Sequence, residues 1–237
     1  MPTPTPCAVT PQAALLAAAA ECFMERGYQA TSIDDIARRL GATKGKVYHY
    51  FDSKADIFFA IHAHAMDALF EVIAPLRQAP VSAGERLYQM ACAHVRTLIR
   101  TQPFQRAVAE GVHMHLRNTA SEAEQDQIAA LQRRRDAYEA QFLAVLEEGI
   151  EEGELYSDQP GLALKPMFGA LNATINWYRA RPDQPDAALD LLADRVAGMA
   201  LAGLWIPTAL RPNGLARQKR VEASAGVGAE HTFRKQA

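Results

Sequence analysis

Cysteine is scarce in this chain: three residues, Cys7, Cys22 and Cys92, stand at spacings that match no zinc or iron–sulfur motif. Bridging two would strand the third, so a disulfide scaffold is excluded and free thiols in a reducing compartment, the cytosol, are expected. Charge of one sign is also missing. Lys and Arg number 25 against 27 Asp and Glu, a net charge of -2, which taken whole looks like an ordinary soluble protein and not a nucleic-acid binder. Aromatics make up 8%, and Val, Ile and Thr are too few for a β-sandwich. No stretch offers about 18 uninterrupted apolar residues, so no membrane span is expected. Pro2, Pro4, Pro6 and Pro11 replace the basic and apolar regions of a signal peptide. No repeat of solenoid length occurs. No Ser-His-Asp, Cys-His or phosphate-loop pattern is present, and acidic pairs such as Glu147-Glu148 and Glu151-Glu152 read as a solvated face, so catalysis is not expected. His62 and His64, like His113 and His115, are two apart; on a helix such residues point about 200° from each other, so neither pair shares an ion and no metal or cofactor is expected.

What is present is alanine-rich helical periodicity, punctuated by caps. Thr10 caps a helix whose first residue is Pro11, and Leu15, Leu16, Ala19, Cys22 and Phe23 line one face before Gly27 closes it. Ser32 with Asp35 opens a short helix from Ile33 to Leu40, ended by Gly41. A third short helical stretch lies between Ala42 and Phe51. Ser53 with Asp56 opens a long helix, Ser82 with Glu85 the next, Pro103 a shorter one and Ser121 with Glu124 the longest. Two more are predicted over residues 161–180 and 186–206. The result is an all-α chain of nine helices. Residues 1–9 and the Gly-, Arg- and Lys-rich stretch 208–237 are expected to be disordered.

The segment from Arg26 to Ile57 carries the information. Two short helices joined through Gly41-Ala42 form a helix-turn-helix, whose second helix fits a major groove about 12 Å wide. Ala42, Thr43 and Gly45 are small and permit close approach, Lys44 and Lys46 add charge, and Val47 and Phe51, four apart, face inward. Tyr48 lies between those inward residues and is expected outside. At these positions the chain resembles the TetR family of bacterial transcriptional repressors. Gly27-Tyr28, Thr31-Ser32-Ile33-Asp34-Asp35-Ile36-Ala37, Gly41, Lys44-Gly45, Tyr48-His49-Tyr50-Phe51 and Ser53-Lys54 fall in that family's order and spacing, over roughly residues 11–58. The resemblance implies that Tyr48 and Lys54 contact backbone phosphates and that Thr43, Lys44, Gly45 and His49 lie on or near the reading surface. Lys46 stands where a small residue is common and reaches a phosphate or a base edge. Thr31 and Ser32 serve as caps, and one of them can also bond a phosphate.

The resemblance divides the chain into a DNA-binding domain over residues 10–53 and a ligand-binding and dimerisation domain over 54–207. It implies a homodimer through the last two helices, on a palindromic operator in double-stranded DNA, released by a small-molecule effector. Leu164, Phe168, Leu171 and Ile175 form one candidate interface stripe, and Leu192, Val196, Met199 and Gly203 the other. Candidates to line an effector pocket are Met90, His94, Phe104, His113, Tyr138, Phe142, Asn172 and Trp177, although aromatic and Met residues at helical spacing usually fill cores. Leu171-Asn172 and Trp177-Tyr178-Arg179 resemble a pattern in a subgroup tied to fatty-acid, sterol-ring and aromatic-acid catabolism, whose effectors include acyl-CoA thioesters. Ala173 departs from it, where relatives often carry a bulky aromatic. An all-helical enzyme or carrier without DNA affinity and an activator on the same fold are the rival readings.

The near-neutral total averages over opposites. Residues 38–54 hold Arg38, Arg39, Lys44, Lys46 and Lys54 against Asp52, whereas residues 55–206 are acidic and 207–237 basic. The positive stretch coincides with the helix-turn-helix.

Overall fold

The computed structural model describes residues 10–115, 122–179, 181 and 183–205, without the side chains of 110–123. Expectations for residues 1–9, the Ser121 cap and the basic C-terminal stretch lie outside the described residues, and those for His113 and His115 outside the described side chains. Nine helices occur among those described: α1 (Pro11–Arg26), α2 (Ile33–Leu40), α3 (Lys44–Tyr48), α4 (Lys54–Arg77), α5 (Ala83–Arg100), α6 (Gln102–His115), α7 (Glu122–Glu151), α8 (Pro160–Trp177) and α9 (Asp186–Leu201). The fold is all-α. Its one β feature among the described residues is an isolated antiparallel bridge between Leu155 and Trp205.

The helices begin where side chains can satisfy their orphan amides. The Thr10 hydroxyl accepts from the Ala13 amide at 3.2 Å, Ser53 from Asp56 at 3.1 Å and Ser82 from Glu85 at 3.4 Å. At Ser32 the capping box is complete: Ser32 Oγ accepts from the Asp35 amide, and the Asp35 carboxylate accepts from the Ser32 amide at 3.0 Å. Those bonds from Ser32 hold the Asp35 carboxyl down at about 2. The turns after α1 and α2 need a left-handed backbone, and glycine supplies it: Gly27 at φ 80° and Gly41 at φ 66°. Helix α3 is shorter than the predicted stretch, with its regular part confined to Lys44–Tyr48. Helix α4 ends at Arg77, before Pro80, with Pro75 in its last turn.

Two apolar cores result. The first gathers Leu15, Phe23, Tyr28, Ile36, Val47, Phe51, Ile57, Phe58 and Ile61, with Ala107 contributed by α6. Its aromatic centre is the run Phe23, Tyr28 and Phe58, with ring centroids 5.2 and 5.5 Å apart in tilted and edge-on contacts. The second joins Met66, Leu69 and Ile73 of α4 to Leu87, Met90 and Leu98 of α5, Phe142 and Leu146 of α7, and Leu164, Leu171, Leu189 and Leu201 of the last two helices. Each fully buried Leu, Ile or Phe contributes about 1.5–3 kcal/mol. Contacts change over inside α4, between Ile61 and Met66, so one continuous helix belongs to both cores. By length and composition α4 is apolar enough to cross a bilayer, and half of that window is buried against the rest of the chain. A helix serving two cores must be apolar on more than one face.

Candidate nucleic-acid interface and effector cavity

Val47 is fully buried and Phe51 nearly so, which pins α3 against α1 and α2 by its inner face. The opposite face presents Thr43, Lys44, Gly45, Lys46, Tyr48 and His49, all exposed; Tyr48 is 46% exposed despite its size. Gly45 has nothing near it: a Cβ there would find only Thr43 Oγ1, at 3.9 Å. Neither internal packing nor backbone angle demands glycine at that position, which leaves room for an external surface to approach the backbone.

Two residues expected at the interface have other work. Thr31 is buried, and its hydroxyl donates to the Gly27 carbonyl at 2.8 Å with the Cys22 carbonyl at 3.2 Å, so it ties the α1–α2 turn together. Lys54 places its ammonium in the same turn, donating to the carbonyls of Tyr28 at 2.8 Å, Thr31 at 2.9 Å and Gln29 at 3.3 Å. The ammonium also lies 4.5 Å from the centroid of the Tyr28 ring, and burial lowers its pKa. Its three donors are all engaged. Ser32 is exposed, with its hydroxyl held in the capping box.

Much of the positive charge near α3 is paired within the protein. Arg39 bridges Glu21 and Glu25 of α1; Arg26 and Arg38 share Asp35; Lys44 reaches Asp34 at 3.0 Å. Lys46 has no ion-pair partner among the described residues. The Lys44–Asp34 pair is half-exposed on both sides, so it contributes little and exchanges readily for a phosphate.

A cavity of about 250 Å³ opens where α4, α5, α6, α7 and α8 meet. Met66, Leu69, Leu98, Val108, Phe168 and Ile175 form its apolar wall. Of the predicted pocket residues it brings together His94, Tyr138 and Asn172. His94 Nδ1 lies 2.9 Å from the Tyr138 hydroxyl and Nε2 lies 3.0 Å from Asn172 Oδ1. Because the amide oxygen only accepts, Nε2 carries the proton and Nδ1 receives the Tyr138 hydroxyl. Burial holds His94 neutral, its pKa down at about 4.

The other predicted pocket residues sit elsewhere. Met90 and Phe142 are sealed in the second core behind the cavity. Phe104 packs on the first core, its ring 4.8 Å from that of His64. Trp177 points outward from α8, 56% exposed. His113 lies outside the described side chains. Sequence reasoning missed Gln105, Arg135, Glu139 and, above all, His62, which lines the cavity completely buried with both ring nitrogens lacking a partner. Its neighbour at two residues' remove, His64, is exposed, as helical geometry requires. The described residues hold no cluster of metal-binding side chains.

The stripe predicted on α8 for the interface faces the chain's own core. Leu164, Phe168, Leu171 and Ile175 are buried inside the protomer against the second core, and Phe168 and Ile175 line the cavity. The outward apolar residues of these helices are Leu162 and Trp177 on α8 and Leu191 and Met199 on α9, the last 80% exposed. Gly203 is exposed, while Leu192 and Val196 are half-buried beside the core.

Comparison with known proteins places this arrangement. A family model described as bacterial regulatory proteins, tetR family, matches residues 15–61, and one described as a tetracyclin repressor-like C-terminal domain matches residues 80–204. The transcriptional repressor KstR2 of Rhodococcus jostii is 24% identical over 194 residues, covering 81% of this chain and 90% of that protein. The transcriptional activator FasR of Mycolicibacterium smegmatis is 40% identical over 65 residues, 27% of this chain and 28% of that protein. The crystal structure of the regulator PfmR from Thermus thermophilus matches with a TM-score of 0.69 at 27% identity, covering 80% of this chain and 97% of that one.

Proposed function

This chain belongs to the tetR family of bacterial regulatory proteins and is a transcriptional regulator, not an enzyme; on that premise we propose that it is a cytoplasmic repressor that binds a palindromic operator as a homodimer and is released by a small hydrophobic effector of acyl type. The observation that carries the DNA reading is the outer face of α3. Thr43, Lys44, Gly45, Lys46, Tyr48 and His49 stand exposed on a helix pinned from behind by Val47 and Phe51, with open space over Gly45. In this reading Tyr48 and Lys46 position the helix on phosphates, and Thr43 and His49 face base edges. A second copy covers the outward apolar residues of α8 and α9, setting two reading helices to engage half-sites about 34 Å apart.

Release requires the effector to prefer the DNA-incompetent state. The cavity supports such a preference by its place. Its walls include His62 and Met66 of α4 and Gln105, Val108 and Ala109 of α6, the two helices that also supply Ile57, Ile61 and Ala107 to the first core. Its size bounds what enters. About 250 Å³ holds roughly eight waters' worth of volume, enough for a short acyl body but not for a whole nucleotide thioester. A CoA group therefore stays outside, and only the acyl end is enclosed.

The likeness to the activator FasR over 65 residues keeps activation as the second reading. The test is a gel shift on the DNA upstream of the chain's own coding sequence, repeated across salt concentrations and with acyl-CoA thioesters of increasing length. The expected result is a specific shift that weakens steeply with salt and is abolished by one thioester length class. Absence of any specific shift, with or without ligand, overturns the reading. A shift strengthened by thioester, with transcription rising when the protein binds, selects the activator.

A further inference from the structure

We propose that His62 is the head-group reader of the cavity: its imidazole takes the acyl oxygen of an otherwise apolar effector, a carboxylate or its thioester, with the Arg135 guanidinium at the mouth supplying the positive field. The inference deepens the effector-responsive reading above and rests on it for its biological meaning.

The polar groups of the cavity differ in one respect. Both ring nitrogens of His94 are bonded, to Tyr138 and Asn172, at 2.9 and 3.0 Å. His62, fully buried on the facing helix, has neither ring nitrogen bonded, although a buried imidazole ordinarily keeps a partner. A neutral imidazole offers one N–H donor and one acceptor, and at His62, which lines the cavity, neither is spent on another side chain. Burial, and after it the positive charges of Arg135 and Arg134, hold His62 neutral, its pKa near 4.

The charges around it select the sign of the ligand. Arg134 is bound by Asp67, and Glu139, the acid beside the mouth, is engaged by Lys165 at 2.6 Å. Arg135 is 4.0 Å from Glu139 and half-exposed, so its guanidinium retains donors for an incoming oxygen. With Glu139 held by Lys165, the Arg135 guanidinium and an uncharged histidine favour an anion or a polarised carbonyl over a cation. Met66, Leu69, Leu98 and Phe168 supply the apolar wall for the tail. His62 also lies in the turn of α4 between Ile61, the last α4 residue of the first core, and Met66, the first of the second, so a group bonded there touches the seam of the molecule.

The test uses the full chain and three probes of one length: hexanoate, hexanoyl-CoA and hexanol. Affinities are measured calorimetrically for wild type, His62→Phe and His62→Gln, and the ¹⁵N resonances of the His62 ring are followed during titration. A lost bond to a charged partner predicts a ten- to hundredfold weaker hexanoate or thioester affinity in His62→Phe. His62→Gln, which keeps a donor, retains most of it, and hexanol binding changes little. The ring resonances shift with the acyl probes, a signal that a purely structural histidine would not produce. Preference for hexanoate over hexanoyl-CoA identifies the free acid as the source, and the reverse identifies the thioester. Equal acyl affinity in wild type and His62→Phe overturns the proposal, as does a wild type that binds none of the three while still shifting its operator. Binding that depends on His62 in a protein that shifts no DNA leaves the head-group assignment standing and removes the repressor reading instead.

Discussion

Replacing Lys54 with Met separates two jobs that a lysine at this position can perform. The resemblance to the family implies a phosphate contact, whereas in the structure the ammonium is bound inside the α1–α2 turn. Two of its bonds, to Tyr28 O at 2.8 Å and Thr31 O at 2.9 Å, are short and charge-assisted, and the third, to Gln29 O at 3.3 Å, is weak. Charge-assisted bonds contribute about 1.5–3 kcal/mol each, and the contact with the Tyr28 ring adds about 0.5–1 kcal/mol. Against this stand the partial burial of the ammonium and the water that the freed carbonyls regain, which brings the net loss to about 2–3 kcal/mol. For a chain of this length that lowers the melting temperature by roughly 4–12 °C. The assay is thermal unfolding without DNA, paired with operator affinity across salt. Each phosphate contact contributes about 0.9 to the slope of log affinity against log salt. The clamp predicts a lower melting temperature with an unchanged slope. An unchanged melting temperature with a slope shallower by about 1 would refute it and return Lys54 to the phosphate backbone.

Gly45→Ala should separate stability from binding: it removes backbone freedom at an unstrained helical position and raises stability by about 0.4–1 kcal/mol, while the new methyl weakens operator binding at least tenfold by gel shift. Equal operator affinity would show that nothing approaches that face. Stability should also depend on acid through His62 and His94, both held near 4 against an ordinary 6.5. Between those values the unfolded chain binds more protons than the folded one, so stability is full above pH 6.5 and is lost as pH falls towards 4. At pH 5 each histidine costs about 2 kcal/mol, readable as a lower urea midpoint than at pH 8, and His62→Phe should remove about half of that loss. An identical pH dependence in the variant would mean that His62 is protonated in the folded state.

The parts of the molecule that could be read beforehand are those fixed by neighbours along the chain. Thr10, Ser32, Ser53 and Ser82 are followed three residues on by the amide they cap, and Gly27 and Gly41 end helices with the left-handed turn that only glycine adopts freely. The inward faces of Val47 and Phe51, and with them the outward face of α3, follow from helical periodicity within ten residues. What escaped depends on which helix covers which. Helix α8 is apolar on two sides, and its sequence does not distinguish the stripe packed in the second core, with Leu164, Phe168, Leu171 and Ile175, from the stripe facing out. Thr31 and Lys54 look like surface polar residues until the chain folds carbonyls around them, those of Cys22 and Gly27 for Thr31 and those of Tyr28 and Thr31 for Lys54. His62 escaped for the same reason: spacing from His64 excluded a shared metal ion, and only the placement of α6, α7 and α8 turns a buried histidine into the wall of a cavity.

The placement of α4 explains how an event in that cavity can reach α3 without any contact between them. Lys54 fastens the first turn of α4 to the α1–α2 turn, and Ile57 and Ile61 pack it into the first core beside Val47, which anchors α3. From Met66 onward the same helix is held by the second core. His62 lies on α4 between the last residue of the first core and the first of the second, and it lines the cavity. A ligand that fills this stretch bonds to the helix between its two anchors and wedges it against α6, which carries Gln105 and Val108 to the cavity and Ala107 to the first core. Packed cores respond to such a wedge by changing arrangement and not by gradual deformation, because their density leaves no slack to absorb it. In the proposed release the first core shifts with α4 and α6, and α3, whose Val47 belongs to that core, is carried with it.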